Sequence, residues 1–180
     1  MEREKAVFVM IDVQEGLVKA MEAKIADLVL RNLKILIAFS THLDIPLVVT
    51  EQYPKGLGPT VSEIRQALAS VSPIEKIAFS CCGTRDFNER LDGLRRTQIL
   101  VTGMEAHVCV LQTAGDLLQT GYEVHVVADA VCSRKKLDWE TSLRWMEKKG
   151  AIISTTEIVA FQLLREAGTE EFRRLSKLLK

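Results

Sequence analysis

The chain has 180 residues, and its 24 lysines and arginines balance 24 aspartates and glutamates for a formal net charge of zero. That balance removes the overall basic field that draws a protein to nucleic acid or to an anionic membrane, and it leaves small-molecule chemistry as the class to pursue. The length fits one domain, residues 1–180, able to bury a core without disulfides or a structural metal.

Met1-Glu2-Arg3-Glu4-Lys5 is charged and leads into the apolar run Ala6 to Ile11, too short for a signal-peptide core or a spanning helix. A cytoplasmic protein is expected, in which Cys81, Cys82, Cys109 and Cys132 remain free thiols. The first strand is predicted over Ala6 to Asp12. A helix follows from about Ala23 to Thr41, with Ile25, Leu28, Val29, Leu33 and Leu36 on one apolar stripe that should face a sheet. The second strand is Leu47 to Glu51. Tyr53 to Thr60 packs two prolines and two glycines into eight positions, which predicts a loop able to shape a pocket, followed by a short helix.

The third strand is Ile74 to Lys76, and a helix is expected at Asp86 to Leu94. Strand Gln98 to Gly103 precedes a helix from Val108 to Gln119, ended by Gly121. Strand Glu123 to Val127, helix Asp138 to Lys149, strand Ala151 to Ser154, and helices at Ile158 to Glu166 and from Thr169 onward complete the chain. Short Val/Ile-rich runs between helical stretches mark a buried parallel sheet, so the fold class is α/β with right-handed crossovers.

Ligands of open parallel sheets bind beyond the carboxyl ends of the strands, so the residues there carry the first interest. Asp12 directly follows Val9-Met10-Ile11, a partly desolvated position suited to proton transfer and equally to capping a turn. Lys76 ends the third strand; alone it reads as a solvated charge, but beside a carboxylate and a thiol it would hold both ionised. Cys109 lies where a strand stops at Gly103, turns and begins a helix. Free N–H groups and the helix dipole lower a thiol pKa there, although a buried structural cysteine is the other reading. Cys81-Cys82 is an adjacent pair without a second pair to complete a zinc site. His42 sits at a helix end, His125 in a strand, and His107 two residues before Cys109, where it would line the pocket. No glycine-rich phosphate loop is present, which argues against a nucleotide cofactor.

Several motifs follow one another in order: Ile11-Asp12-Val13-Gln14, the stretch Thr50 to Thr60, Lys76 with Phe79-Ser80, and Gly103-Met104-Glu105-Ala106-His107-Val108-Cys109-Val110. Val124-His125-Val126-Val127-Ala128-Asp129-Ala130 with Ser133-Arg134, and Gly150 to Glu157, extend the series. Together they resemble the isochorismatase-like cysteine hydrolases, most closely the isochorismatase-domain-containing proteins. The resemblance implies a three-layer, doubly wound parallel six-stranded sheet in the order 3-2-1-4-5-6 with helices on both faces. It also implies an Asp-Lys-Cys triad, falling on Asp12, Lys76 and Cys109, and a cis peptide at Met104-Glu105 that aims the N–H groups of Glu105 and Cys109 at one oxyanion.

The nicotinamidase branch carries an aspartate and paired histidines after the second strand that bind a metal. Here Glu51-Gln52-Tyr53-Pro54 stands instead, so no metal is expected. Bacterial isochorismatases lack the cysteine, so Cys109 points to amidase-type chemistry. The expected function is hydrolysis of an amide-like or ester-like bond of a small-molecule carbonyl compound through a thioester, without cofactor. Gln14, Tyr53, Phe79 and His107 are expected around the pocket. Trp139, Trp145 and the Tyr53 loop could anchor a homo-oligomer. The alternative is a non-catalytic or thiol redox-sensing oligomer of the same fold that uses Cys81 and Cys82.

Overall fold

Among residues 1–68 and 71–180, which the computed structural model describes, the strands are β1 (Ala6–Ile11), β2 (Leu47–Gln52), β3 (Ile74–Lys76), β4 (Gln98–Met104), β5 (Glu123–Cys132) and β6 (Ile152–Ser154). They form one sheet in the order β3-β2-β1-β4-β5-β6, and each neighbouring pair is parallel. The helices are α1 (Glu15–Ala20), α2 (Ala23–His42), α3 (Pro54–Leu57), α4 (Ser62–Leu68), α5 (Arg85–Leu94), α6 (Leu111–Gln119), α7 (Lys136–Lys148), α8 (Thr156–Leu164) and α9 (Glu170–Leu175).

Strand β1 reads as an unbroken apolar run because both of its faces are covered. Ala6, Phe8 and Met10 join the cluster under α2, α4, α8 and α9. Val7, Val9 and Ile11 join the cluster under α5, α6 and α7. This is the pattern of a parallel sheet between two helical layers. Strands β1 and β4 are neighbours whose connections run in opposite directions, to β2 through α2 and to β5 through α6. The crevice of an open α/β sheet forms at that divergence, at the carboxyl ends of the strands.

The structure differs from the sequence-based expectation at several places. Asp12 is not the last residue of β1: with φ 52 it turns out of the strand, a left-handed conformation that aspartate tolerates. Helix α1 was not foreseen because it buries no residue and so leaves no apolar period. Within the Tyr53 to Thr60 loop, Pro54 at the first helical position starts the single turn α3. Strand β5 runs to Cys132 rather than Val127, its register against β4 shifting between Val101 and Gly103. On the expected stripe of α2, Val29, Leu33 and Leu36 are buried, whereas Ile25 and Leu28 remain 40% and 46% exposed. Those two side chains border a cavity of about 420 Å³ beyond the end of β5, shared with Val131, Cys132 and Trp139.

Candidate active site

Parallel pairing brings three separate chain segments to one point. Ile11 lies beside Thr50 on β2 and beside Gly103 on β4, while Gln52 on β2 lies beside Lys76 on β3. Asp12 and Lys76 therefore meet above the sheet, with the turn after β4 on the far side of β1. Gly103 permits that spacing: its φ is +105, and a Cβ there would stand 2.0 Å from the Ile11 carbonyl oxygen.

Asp12 is wholly buried. Its Oδ1 accepts a hydrogen bond of 2.7 Å from the Thr50 hydroxyl. Its Oδ2 lies 2.7 Å from Lys76 Nζ in an ion pair whose side chains have no exposure. The ammonium donates to Gln52 Oε1 at 2.7 Å, to the Phe79 carbonyl at 3.0 Å and to the Ala78 carbonyl at 3.3 Å. Its three hydrogens are thus engaged elsewhere. The Asp12–Lys76 contact is electrostatic, and Oδ2 receives no directed hydrogen bond.

Cys109 is the third member of this group. It lies not in the first turn of an ordinary α-helix but in a π-helical turn, Ala106–Val110, inserted between β4 and α6. The N–H groups of Val108 and Val110 both donate to the Glu105 carbonyl, at 3.0 and 3.3 Å, and the N–H of Cys109 between them takes no part in that pair. The residue is 5% exposed, and its thiol stands close enough to feel the charges of both the Asp12 carboxylate and the Lys76 ammonium. Burial first, and the Asp12 charge second, push it up to about 12, against a smaller opposing effect of Lys76. The expectation of a thiol held ionised by Lys76 and the helix dipole is therefore reversed. In this site the sulfur keeps its proton, and it stands beside a carboxylate able to take it.

The Met104–Glu105 peptide is cis. The Glu105 carboxylate accepts from the backbone N–H and Nε of Arg134 at 3.2 and 3.0 Å, which ties the turn to the segment after β5. His107 makes a second tie, with Nδ1 2.9 Å from Ser133 Oγ and Nε2 4.0 Å from Asp138. That pairing turns the imidazole toward β5 and α7, not toward Asp12.

The other expected pocket residues divide. Gln14 is wholly buried and fully committed: Nε2 donates to the carbonyls of Gln52 and Gly58 at 2.9 and 2.7 Å, and Oε1 accepts from Gln52 N–H at 2.7 Å. It braces the loop after β2 and has no amide hydrogen left for a ligand. Tyr53 and Phe79 are about half exposed, at 51% and 54%. Tyr53 borders a groove of about 550 Å³ beside β3, shared with Lys76, Ile77 and Arg85. Glu51 spends one oxygen on the N–H and hydroxyl of Thr60, both at 2.6 Å. Among the described residues no group of three or more His, Cys, Asp or Glu is placed to hold a metal, and no helix is long and apolar enough to cross a membrane.

Thr50, Gln52 and Cys81 stand around Asp12 and Lys76, yet sequence reasoning gave Thr50 and Gln52 no individual role and gave Cys81 only the redox alternative shared with Cys82. Polar residues in a short strand and an adjacent cysteine pair carry no periodic signal that separates them from ordinary strand and turn residues. Cys81 is wholly buried and pushed up to about 12, chiefly by burial, and Cys82 is half-buried and pushed up to about 11 for the same first reason.

The Isochorismatase domain profile matches residues 6–158. Isochorismatase domain-containing protein 2A of Mus musculus is 40% identical over 139 residues, which are 77% of this chain and 66% of the mouse protein. The match therefore spans slightly less than two thirds of that relative's length. Isochorismatase family protein 1A of Dictyostelium discoideum is 39% identical over 153 residues, 81% of this chain and 72% of its own. Among solved structures, the MAR1 ribonuclease of Caenorhabditis elegans aligns with a TM-score of 0.91 at 36% identity, covering 99% of this chain and 91% of that one. The YcaC gene product of Escherichia coli, described as an octameric hydrolase of unknown specificity, aligns with a TM-score of 0.85 at 23% identity over 92% of this chain and 82% of its own. At that identity the likeness speaks to the fold alone.

Proposed function

This chain belongs to the isochorismatase domain family, and from that footing we propose a cysteine hydrolase of small amide-like or ester-like carbonyl compounds in which Asp12, Lys76 and Cys109 are the catalytic residues. The observation that carries the reading is Asp12 Oδ2, a buried carboxylate oxygen with no directed hydrogen bond, next to a thiol that keeps its proton.

Asp12 takes the Cys109 proton as Sγ attacks the carbonyl carbon, so the thiolate exists only while the carbon–sulfur bond forms. The N–H groups of Glu105 and Cys109 receive the oxyanion. Asp12 then delivers the proton to the leaving nitrogen or oxygen, and the bond to that atom breaks to leave a thioester. Water, deprotonated by Asp12, attacks the thioester; the carbon–sulfur bond breaks, Cys109 recovers its proton and the acid leaves. Lys76, paired with Asp12 at 2.7 Å, balances the charge of the carboxylate and offsets the negative charge of the departing thiolate.

A panel of amides, carbamoyl compounds, imides and esters tests this with the parent protein, Cys109→Ser and Asp12→Asn. Substrate turnover should be lost in Cys109→Ser and fall ~10²- to 10⁴-fold in Asp12→Asn, and intact mass should reveal an acyl adduct on Cys109. Because one structural relative is named a ribonuclease, RNA belongs in the panel. RNA cleavage that survives Cys109→Ser would overturn the thiol mechanism.

The same reading includes self-association. Ile25 and Leu28 at the start of α2 and Leu137 at the start of α7 are large apolar side chains left 40%, 46% and 68% exposed, a residue class that marks protein interfaces when it clusters. A strict monomer by light scattering would remove this part.

A further inference from the structure

We infer that Thr50 and Cys81 are positioning residues for Asp12: a donor chain running from the Cys81 thiol through the Thr50 hydroxyl to Oδ1 fixes the carboxylate and reserves Oδ2 for the Cys109 proton. The inference rests on Asp12 being the base.

Counting hydrogens sets the direction of the chain. A threonine hydroxyl has one hydrogen, and Thr50 gives it to Asp12 Oδ1 at 2.7 Å. Cys81 Sγ lies 3.8 Å from the same hydroxyl oxygen. Since Thr50 has nothing left to donate, the thiol must be the donor of that contact. Cys81 is able to fill the role because burial, the largest influence on it, pushes its thiol up to about 12 and keeps the hydrogen in place. The backbone N–H of Cys81 is itself fixed, donating to Thr113 Oγ1 on α6 at 2.9 Å.

Asp12, Thr50, Cys81 and Thr113 all have zero exposure. A polar chain at this depth is costly unless every member is satisfied, and valine or alanine would fill the same space without that requirement. Its arrangement has a consequence that packing alone does not supply: with Oδ1 engaged, Oδ2 is the oxygen without a directed partner. The titratable groups that face Asp12 are Lys76 at the end of β3, Cys109 in the π turn and Cys81 in the turn after β3.

The test follows the Asp12 carboxyl carbon by NMR titration of labelled full-length protein, assigned with Asp12→Asn. Removing the hydroxyl donor in Thr50→Val should raise the titration midpoint above that of the parent, because a hydrogen bond to the ionised form is lost. Cys81→Ala should move it in the same direction by less, and Thr50→Ser should restore it. A loss of stability with no change of midpoint in Thr50→Val and Cys81→Ala would mean a merely structural role and would sink the inference.

Alkylation by iodoacetamide, mapped to Cys109 by mass, separates this from the base reading. In that step the carbon–sulfur bond forms, iodide leaves and the thiol proton passes to Oδ2. If Asp12→Asn suppresses alkylation at pH 7 while the Thr50→Val midpoint stays put, the inference alone fails. If alkylation is indifferent to Asp12→Asn, the base reading fails and takes with it the role assigned to Thr50 and Cys81.

Discussion

Lys76 carries a charge to a place that water does not reach: its side chain has no exposure, and its counter-charge on Asp12 has none either. Each ion pays several kcal/mol of desolvation, and the pair persists because Gln52 and two carbonyls take the three ammonium hydrogens. Breaking the pair from one side strands the other charge. Lys76→Met should therefore destabilise the fold by about 3–5 kcal/mol at neutral pH, read from urea unfolding. Adding Asp12→Asn to Lys76→Met should return part of that loss; strictly additive losses would mean that the two charges do not support each other. From the residues alone, Lys76 reads as a solvated strand-end charge. Three residues of β3 give no period to read, and burial of the lysine depends on β2 pairing Gln52 beside it.

At the scale of elements, the approach of β4 to β1 decides where the Cys109 turn can stand relative to Asp12. Gly103 is the point of contact, and Gly103→Ala combines a disfavoured φ with a Cβ pressed to 2.0 Å from a backbone oxygen that has no rotamer to escape into. A loss of at least ~2–3 kcal/mol is expected from the backbone alone, together with slower alkylation of Cys109. An unchanged denaturation midpoint would show that the strands can part without cost. The strands themselves were legible because apolar runs between helical periods have one economical packing; β1, β3 and β4 begin at the residues expected from sequence alone. Strand order was not legible that way, since spacing says nothing of which strand neighbours which, and it came with the family resemblance. The π-helical turn and the long β5 were also hidden, because their residues suit an ordinary helix start and an ordinary loop. They become distinct only through the Glu105 carbonyl pair and the register shift against β4.

Across the whole molecule, four thiols share one electrostatic condition. Burial is the first cause in each case, and it pushes Cys81, Cys109 and Cys132 up to about 12 and Cys82 up to about 11. In the unfolded chain a thiol ionises near ~8.5. Below that pH both states hold the proton and the thiols leave stability unchanged with pH. Above it the unfolded chain releases protons that the folded protein retains, so the folded state loses ground as pH rises, until the folded thiols ionise as well. For one fully buried thiol the slope is ~1.4 kcal/mol per pH unit within that window. Thermal midpoints should accordingly fall steadily from about pH 9 to pH 11. Cys132 tests the origin of the decline: it pairs with Met104 at the end of β4 near Glu105 and is not one of the three residues Asp12, Lys76 and Cys109. Cys132→Ala should lower the midpoint at neutral pH through its cavity and yet flatten the alkaline decline relative to the parent. A decline of the same steepness would assign the alkaline loss to groups other than the buried thiols. The result also bears on the mechanism, because a molecule that resists thiol ionisation throughout its core must create the Cys109 thiolate during the reaction, with Asp12 as the place for the proton.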